Sequence, residues 1–359
     1  MSKTALVTGA NGFIGSHLVD YLLERGDRVL AMVRKTSDLS NLEGREVEYR
    51  YAGLRDEEAL VTAMEGVDIV YHVAGLTAAF NPTTLEEVNS AGTRRVLEAA
   101  RQAQPGPGRV VYVSSLEAAG ESHPNQARAE HHLPAPFTNY GRSKFGGELA
   151  AWRASRDEQG PEVVIVRPPL VYGPRDQDVL QMIQSANWRL IATPMGRNGW
   201  ISAIHCHDLV RGIVLAGERG RPLPPGEDLN HILAGVGPRC DGESTAVPEL
   251  GEGIYFFDDG GRHTIASFGH EAARILGKQA FTLPMPRLLI WLAAISAELV
   301  GRLKGKAPAL NRDKVVASFA TGWWCDSGKA RKELGYSPDM SLNQGLQQTI
   351  RWLRDKSVL

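Results

Sequence analysis

The chain has 359 residues, 43% apolar and 23% charged, enough for one large or two modest domains with a real core. Its net charge of −1 gives no electrostatic reason to expect a nucleic-acid partner. Cys206, Cys240 and Cys325 are far apart and belong to no CxxC or His/Cys cluster, so neither a disulfide framework nor a metal site is expected.

Lys3–Thr8 reads as a short apolar strand running into Gly9-Ala10-Asn11-Gly12-Phe13-Ile14-Gly15, with glycines at three-residue spacing. Ser16–Arg25 has helical periodicity, and Gly26 is its stop. A strand entering a glycine-rich turn and a helix N-terminus makes a pyrophosphate cradle. The glycines let backbone N–H groups approach the phosphates, and the helix dipole favours the negative charge. Gly9, Asn11, Gly12, Phe13, Ile14 and Gly15 are therefore expected to bind a dinucleotide. A first strand that starts at Lys3 leaves no room for a signal peptide, so a cytoplasmic location is expected.

Arg28–Val33 is the second strand, followed directly by Arg34 and Lys35. A carboxylate at that point would bind the ribose 2′-OH of NAD, whereas basic residues accept the 2′-phosphate of NADP. No acid stands there before Asp38, so NADP is expected ahead of NAD. Val47–Tyr51 and Val67–His72 read as further buried strands, with a helix from about Asp56 between them. Ala74 and Gly75 should then pass beside the cofactor. A long helix spans Thr84–Gln102, Pro105-Gly106-Pro107-Gly108 breaks the chain, and Arg109–Ser114 is the fifth strand. The helix Asn139–Ala154 leads to the strand Glu162–Val166. Strand–helix alternation of this kind predicts an α/β fold with a doubly wound parallel sheet, the Rossmann arrangement.

The pattern loosens after Arg167. Arg219–Gly253 reads as a long surface excursion, and the tail from Thr264 as mostly helical. The expected division is a dinucleotide-binding domain over 1–170 and 203–234, and a smaller, mostly helical substrate-binding domain over 171–202 and 235–359. Leu288–Val300 is apolar on nearly every helical face, yet too short for a membrane span. It is either a helix buried under the substrate domain or, with Arg287, Arg302, Lys304 and Lys306 at its ends, a surface helix over about 288–303 touching a bilayer peripherally. Met182, Ile183, Trp188, Trp200 and Trp291 could supply core or an apolar pocket.

Tyr140-Gly141-Arg142-Ser143-Lys144 places Tyr140 and Lys144 four residues apart on one helix face. The strand Val110–Val113 ends in Ser114-Ser115, and strand C-termini are where such a sheet presents its catalytic groups. A phenol is a poor base at neutral pH. A nearby ammonium and an oxidised nicotinamide would favour phenolate. Tyr140 could then exchange a proton with a substrate hydroxyl or carbonyl, Ser115 could hold that oxygen, and Lys144 could also grip the nicotinamide ribose.

With these residues the chain resembles the extended short-chain dehydrogenases/reductases, from about Thr4 to Trp352. The resemblance rests on Thr8-Gly9-x-x-Gly12-x-x-Gly15, on Ser115, Tyr140 and Lys144, and on Arg167-Pro168-Pro169-Leu170-Val171-Tyr172-Gly173-Pro174. It implies Ser115, Tyr140 and Lys144 as the catalytic set, with Leu54 and Pro168 also near the cofactor. Nucleotide-sugar members carry an arginine where this chain has Ile201, and an asparagine just before the Tyr-Gly-Pro turn, where it has Leu170 and Val171. A diphosphate substrate would be left poorly neutralised.

The 3β-hydroxysteroid dehydrogenase and dihydroflavonol-4-reductase-like branch is therefore the nearest, and a secondary alcohol or ketone on a hydrophobic, sterol-like or ketoacyl substrate is expected. The alternative is a nucleotide-sugar epimerase or dehydratase holding NAD tightly. Glu117 matches the place of a dehydratase's catalytic glutamate, but Leu116 replaces the acid before it. Asn89, the family's helix asparagine, would support the site or tie its helix to a strand. The resemblance further implies a homodimer built on the helices Thr84–Gln102 and Asn139–Ala154.

Overall fold

The computed structural model describes residues 2–194, 199–225, 248–304, 308 and 310–359. Seven strands form the central sheet: β1 (Thr4–Thr8), β2 (Arg28–Val33), β3 (Glu48–Tyr51), β4 (Ile69–His72), β5 (Arg109–Val113), β6 (Glu162–Arg167) and, much later in the chain, Ile254–Phe256. The order runs from Ile254–Phe256 through β6, β5, β4, β1 and β2 to β3, and every pairing is parallel. The strand order reverses between β1 and β4, the crevice where doubly wound sheets bind dinucleotides.

β4, β5 and β6 are runs of Val, Ile and Tyr, and β1 is Ala-Leu-Val between threonines, because helices cover both faces of the sheet. One cover includes α1 (Phe13–Glu24), with Leu18, Val19 and Leu22 buried. The other includes α2 (Glu57–Met64) and the catalytic helix Asn139–Ala154, which buries Ala150, Ala151 and Trp152. β3 departs from the expectation of a buried strand. It is the sheet's edge, and none of its residues is fully buried. The Thr84–Gln102 helix is there, but it starts at Pro82 and passes through a π-helical stretch, Glu86–Ala91, before Gly92–Gln102.

The strand Ile254–Phe256 lies in the 235–359 range yet extends the central sheet beside β6. Its three residues are too few to show a period. The surface excursion expected over Arg219–Gly253 falls largely outside the described residues, as do Cys240 and Lys306. The rest of the second half is helices with two small parallel ribbons. Leu170–Tyr172 pairs with Ala203–His205, and Leu190–Pro194 pairs with Phe281–Met285. A separate core packs Phe268 and Ala272 of the helix Ile265–Ile275 against Leu346, Ile350 and Leu353 of Leu342–Asp355.

The apolar helix expected at Leu288–Val300 exists as Arg287–Lys304, but it is not buried. Only Ala294 and Gly301 are enclosed, and its leucines face outward. Among the described residues no helix is long and apolar enough to cross a membrane. Ile183 is core, whereas Trp188 is exposed.

Candidate active site

β1 delivers the chain into the glycine turn. Gly9 sits at φ +65°, and a Cβ there would lie 2.8 Å from Ala74 Cα. A Cβ on Gly15 would lie 2.1 Å from the Gly9 carbonyl oxygen. No other side chain fits either position. Gly12 opens α1 with no side-chain cap, and the first turn of the helix has no acid. Its N–H groups are left for an anion, which fits the pyrophosphate of a dinucleotide. Asn11 donates from Nδ2 to the Asp38 carbonyl (3.0 Å), and its own carbonyl accepts from Asn41 (3.0 Å), tying the turn to the loop after β2. Arg34 and Lys35 stand exposed in that loop, and among the described residues neither pairs with a carboxylate. Leu54, in the turn after β3, lies against Gly92. Phe13, Ile14, Gly75 and Pro168 line a cavity together with Ser115, Tyr140 and Lys144.

Under the turn, a hydrogen-bonded line fixes the end of β4. Thr93 donates its hydroxyl proton to the Asn89 carbonyl (2.7 Å), so His72 Nε2 must carry the proton it shares with Thr93 (3.0 Å). His72 Nδ1 then accepts from Thr8 (2.8 Å), whose oxygen accepts from the Ala74 N–H (3.1 Å). Burial, reinforced by the Lys144 charge, pulls the His72 pKa down to about 3, so the ring stays neutral. Asn89 ties its helix to the loop after β4 rather than to a strand. It holds the Leu76 backbone at N–H and C=O (2.8 Å each) and donates to Ser143 (2.9 Å), which in turn donates to the Tyr140 carbonyl.

Ser115 caps the short helix Leu116–Ala119 at the end of β5, and its Oγ accepts from the Glu117 N–H (3.1 Å). Tyr140 and Lys144 stand on the helix Asn139–Ala154, capped by Thr138. Ser115, Tyr140 and Lys144 line one cavity, and the Ser115 hydroxyl acts on the Tyr140 phenol to lower its pKa. Lys144 is buried, donates from Nζ to the Val113 carbonyl (2.7 Å) and sits 4.6 Å above the Tyr112 ring. Burial lowers its pKa to about 7, against the pull of Glu148. Glu148, one turn beyond Lys144, accepts from Ser114 (2.6 Å) and from Arg167 Nε and Nη2 (2.9 and 2.6 Å). This fully buried pair clamps the ends of β5 and β6 to the catalytic helix.

Burial, with the Glu117 charge, pushes the Tyr140 phenol up to about 12. The strongest cation opposing this is Lys314, whose Nζ lies 5.5 Å from the Tyr140 ring centre and 3.7 Å from Glu117 Oε1. Burial pulls Lys314 down, but the charges of Glu117, Tyr140, Asp178 and Asp313 outweigh it and raise its pKa. The neighbouring Asp313 accepts the Asn139 and Tyr140 N–H groups (2.8 and 3.0 Å) at the open end of the catalytic helix. Sequence reasoning gave the tyrosine's cation as Lys144 and did not single out Asp313 or Lys314. They lie more than 170 residues from Tyr140 in a tail with no motif, so only the fold brings them there. Glu148 was missed as well, though its place four residues beyond Lys144 on the same helix face was a signal that could have found it.

The cavity holds about 720 Å³. Leu170, Val171, Met182, Ile201, Ile290 and Trp323 give its lining much apolar surface, and Asp176, Asp178, Gln181 and Lys314 add polar groups. Ile201 is buried and held by backbone hydrogen bonds to His263 in both directions (2.8 and 3.0 Å). Among the described residues, no group of three or more His, Cys, Asp or Glu could hold a metal.

A parallel sheet with a glycine turn at its switch point and a Ser/Tyr/Lys set at its carboxyl edge defines a nicotinamide-dinucleotide enzyme. Residues 5–231 match the model of the NAD dependent epimerase/dehydratase family, and the chain belongs to that family. Sterol demethylase protein B of Methylococcus capsulatus is 30% identical, over 99% of this chain and all of that one. The decarboxylating sterol-4-alpha-carboxylate 3-dehydrogenase of Dictyostelium discoideum is 25% identical, over 96% and 97% of the two chains. The UDP-glucose 4-epimerase of Thermotoga maritima, solved with UDP-glucose, superposes with a TM-score of 0.72 at 22% identity, over 99% of both chains.

Proposed function

We propose that the protein is an NAD(P)-dependent oxidoreductase that interconverts a secondary alcohol and a ketone on a hydrophobic, sterol-like or ketoacyl-type substrate. The observation that carries this reading is the cavity wall. Leu170, Val171 and Ile201 line the same cavity as Ser115 and Tyr140 with hydrocarbon, where a sugar diphosphate would need charge and hydrogen-bond donors. The relatives named for sterol chemistry agree with it.

The glycine turn would hold the pyrophosphate, and Gly75 would lie under the nicotinamide end, beside Lys144. Bound there, the dinucleotide supplies or accepts the hydride. Ser115 orients the substrate oxygen by a hydrogen bond. Tyr140, protonated at neutral pH because burial raises its pKa, gives its proton to the carbonyl oxygen during reduction and recovers it during oxidation. Lys314 stabilises the phenolate left behind, and Lys144 holds the ribose. The unpaired Arg34 and Lys35 suit a 2′-phosphate, so NADP(H) is the preferred cofactor.

The test is titration of the purified protein with NADPH and NADH, followed by turnover of hydrophobic ketones. Tight NADPH binding with ketone-dependent oxidation of NADPH supports the reading. Glu117, hydrogen-bonded to Thr138 (2.7 Å) inside the cavity, favours a second reading, a nucleotide-sugar epimerase or dehydratase. That reading requires protein that purifies with NAD bound and converts a nucleotide sugar without net use of the dinucleotide.

A further inference from the structure

The helix Arg287–Lys304 leaves its apolar side uncovered. Leu288, Leu292, Ile295, Leu299 and Leu303 follow one another at four- and three-residue steps, and they are 69%, 51%, 42%, 60% and 89% exposed. Soluble surfaces carry single exposed leucines without consequence, but a stripe of this length marks a contact face.

The stripe does not stand alone. The strand Phe281–Met285 runs into this helix through Pro286, and its parallel partner is Leu190–Pro194. Phe281 is 73% exposed, Trp188 is 77% exposed, and Leu190 and Leu283 are exposed as well. These same elements form part of the cavity wall, through Ala192, Pro194, Met285, Ile290 and Ala293. The uncovered face is thus the outside of the segment that closes the substrate cavity.

Charge selects the occupant. Arg189 and Arg287 stand beside the apolar residues, and Arg302 lies at the far end of the helix. Glu298 is the helix's only acid, and it is taken by Arg312, which donates from both its backbone N–H (2.9 Å) and Nε (3.0 Å). An apolar face with basic residues and no free carboxylate complements a hydrocarbon layer under anionic headgroups. An exposed tryptophan suits the headgroup level.

We propose that this face, Trp188–Leu190, Phe281–Leu283 and the outer side of Arg287–Lys304, docks on the surface of an anionic phospholipid bilayer and sets one wall of the substrate cavity against the lipid. The docking goes beyond the proposed reaction and stands independently of it.

The experiment is sedimentation of the full chain with vesicles of phosphatidylcholine alone, or of phosphatidylcholine mixed with phosphatidylglycerol, at physiological salt. The expected result is binding to the mixed vesicles at least about tenfold stronger than to the neutral ones. The L288S/L292S/L299S variant should lose binding about tenfold or more. NADPH titration of that variant, unchanged from the parent, shows that it is folded. R287E/R302E should abolish the preference for anionic lipid. Absence of binding to either vesicle, or equal binding to both, overturns the proposal. So does a dimer in solution that the triple leucine variant converts to monomer, because the face then belongs to a second copy of the chain.

Discussion

The two halves of the molecule treat hydrophobic helices in opposite ways. α1 buries Leu18, Val19 and Leu22 against the sheet and aims its open N-terminus at the phosphates. The helix Arg287–Lys304 is as rich in leucine, but it turns that leucine outward and gives only a narrow side to the cavity. The cofactor half is thus closed by its own contacts, with the Gly9 turn pressed on Ala74, His72 wired between two threonines and Glu148 locked to Arg167. The substrate half leaves a wall for something else to cover. NAD and NADP offer the same pyrophosphate, so the site that holds it can be rigid. A substrate must enter and leave, so its wall has to stay adaptable.

If the cofactor half is that rigid, disturbing its chemistry should be costly and specific. Tyr140→Phe removes the exchanged proton and should lower kcat by about 10²–10⁴ while NADPH affinity stays the same. Steady-state rates beside a binding titration check this, and retention of a tenth of the rate would break the assignment. Glu148→Ala should cost stability rather than chemistry alone. It leaves Arg167 buried and uncompensated, with one guanidinium nitrogen already unpartnered, for a loss of about 3–5 kcal/mol. Urea unfolding measures it, and a change under about 1 kcal/mol would show the clamp to be ornamental.

Arg34→Ser with Lys35→Ser should weaken NADPH binding about tenfold and leave NADH alone. Equal loss for both cofactors would assign the two charges to the loop instead of the 2′-phosphate. The smallest effect is expected at the seam between the halves. Lys314→Met removes the main cation that favours phenolate, so the Tyr140 pKa should rise further. Reduction uses the protonated phenol, so its alkaline limb should move to higher pH. Oxidation uses the phenolate and should slow a few-fold near pH 8. A pH profile identical to the parent's would remove Lys314 from the mechanism.

The cofactor half was largely readable from the chain because its geometry is local. Three glycines, a strand and a helix lie within one short stretch, and Tyr140 and Lys144 share a helix face. The catalytic helix Asn139–Ala154 has the bounds its pattern suggests. Ile254–Phe256 and the outward turn of the leucine helix were not readable. A three-residue strand shows no period, and an apolar helix has the same composition whether it faces a core or a cavity mouth. The Glu117–Lys314 pair could not be read either, because nothing in either neighbourhood points to the other.

The helix Arg312–Ser318 carries both Asp313, on the backbone of Tyr140, and Lys314, beside its phenol. A growing chain can therefore assemble the glycine turn and the Ser/Tyr/Lys set well before it is competent. Chemistry waits for one of the last segments to leave the ribosome and seat itself on the catalytic helix. Loss of the C-terminal end, by early termination or proteolysis, would take away that helix together with Ala330, Leu334 and Tyr336, which share a core with α1 and β1, so the cofactor half would lose packing as well as its seat for Tyr140.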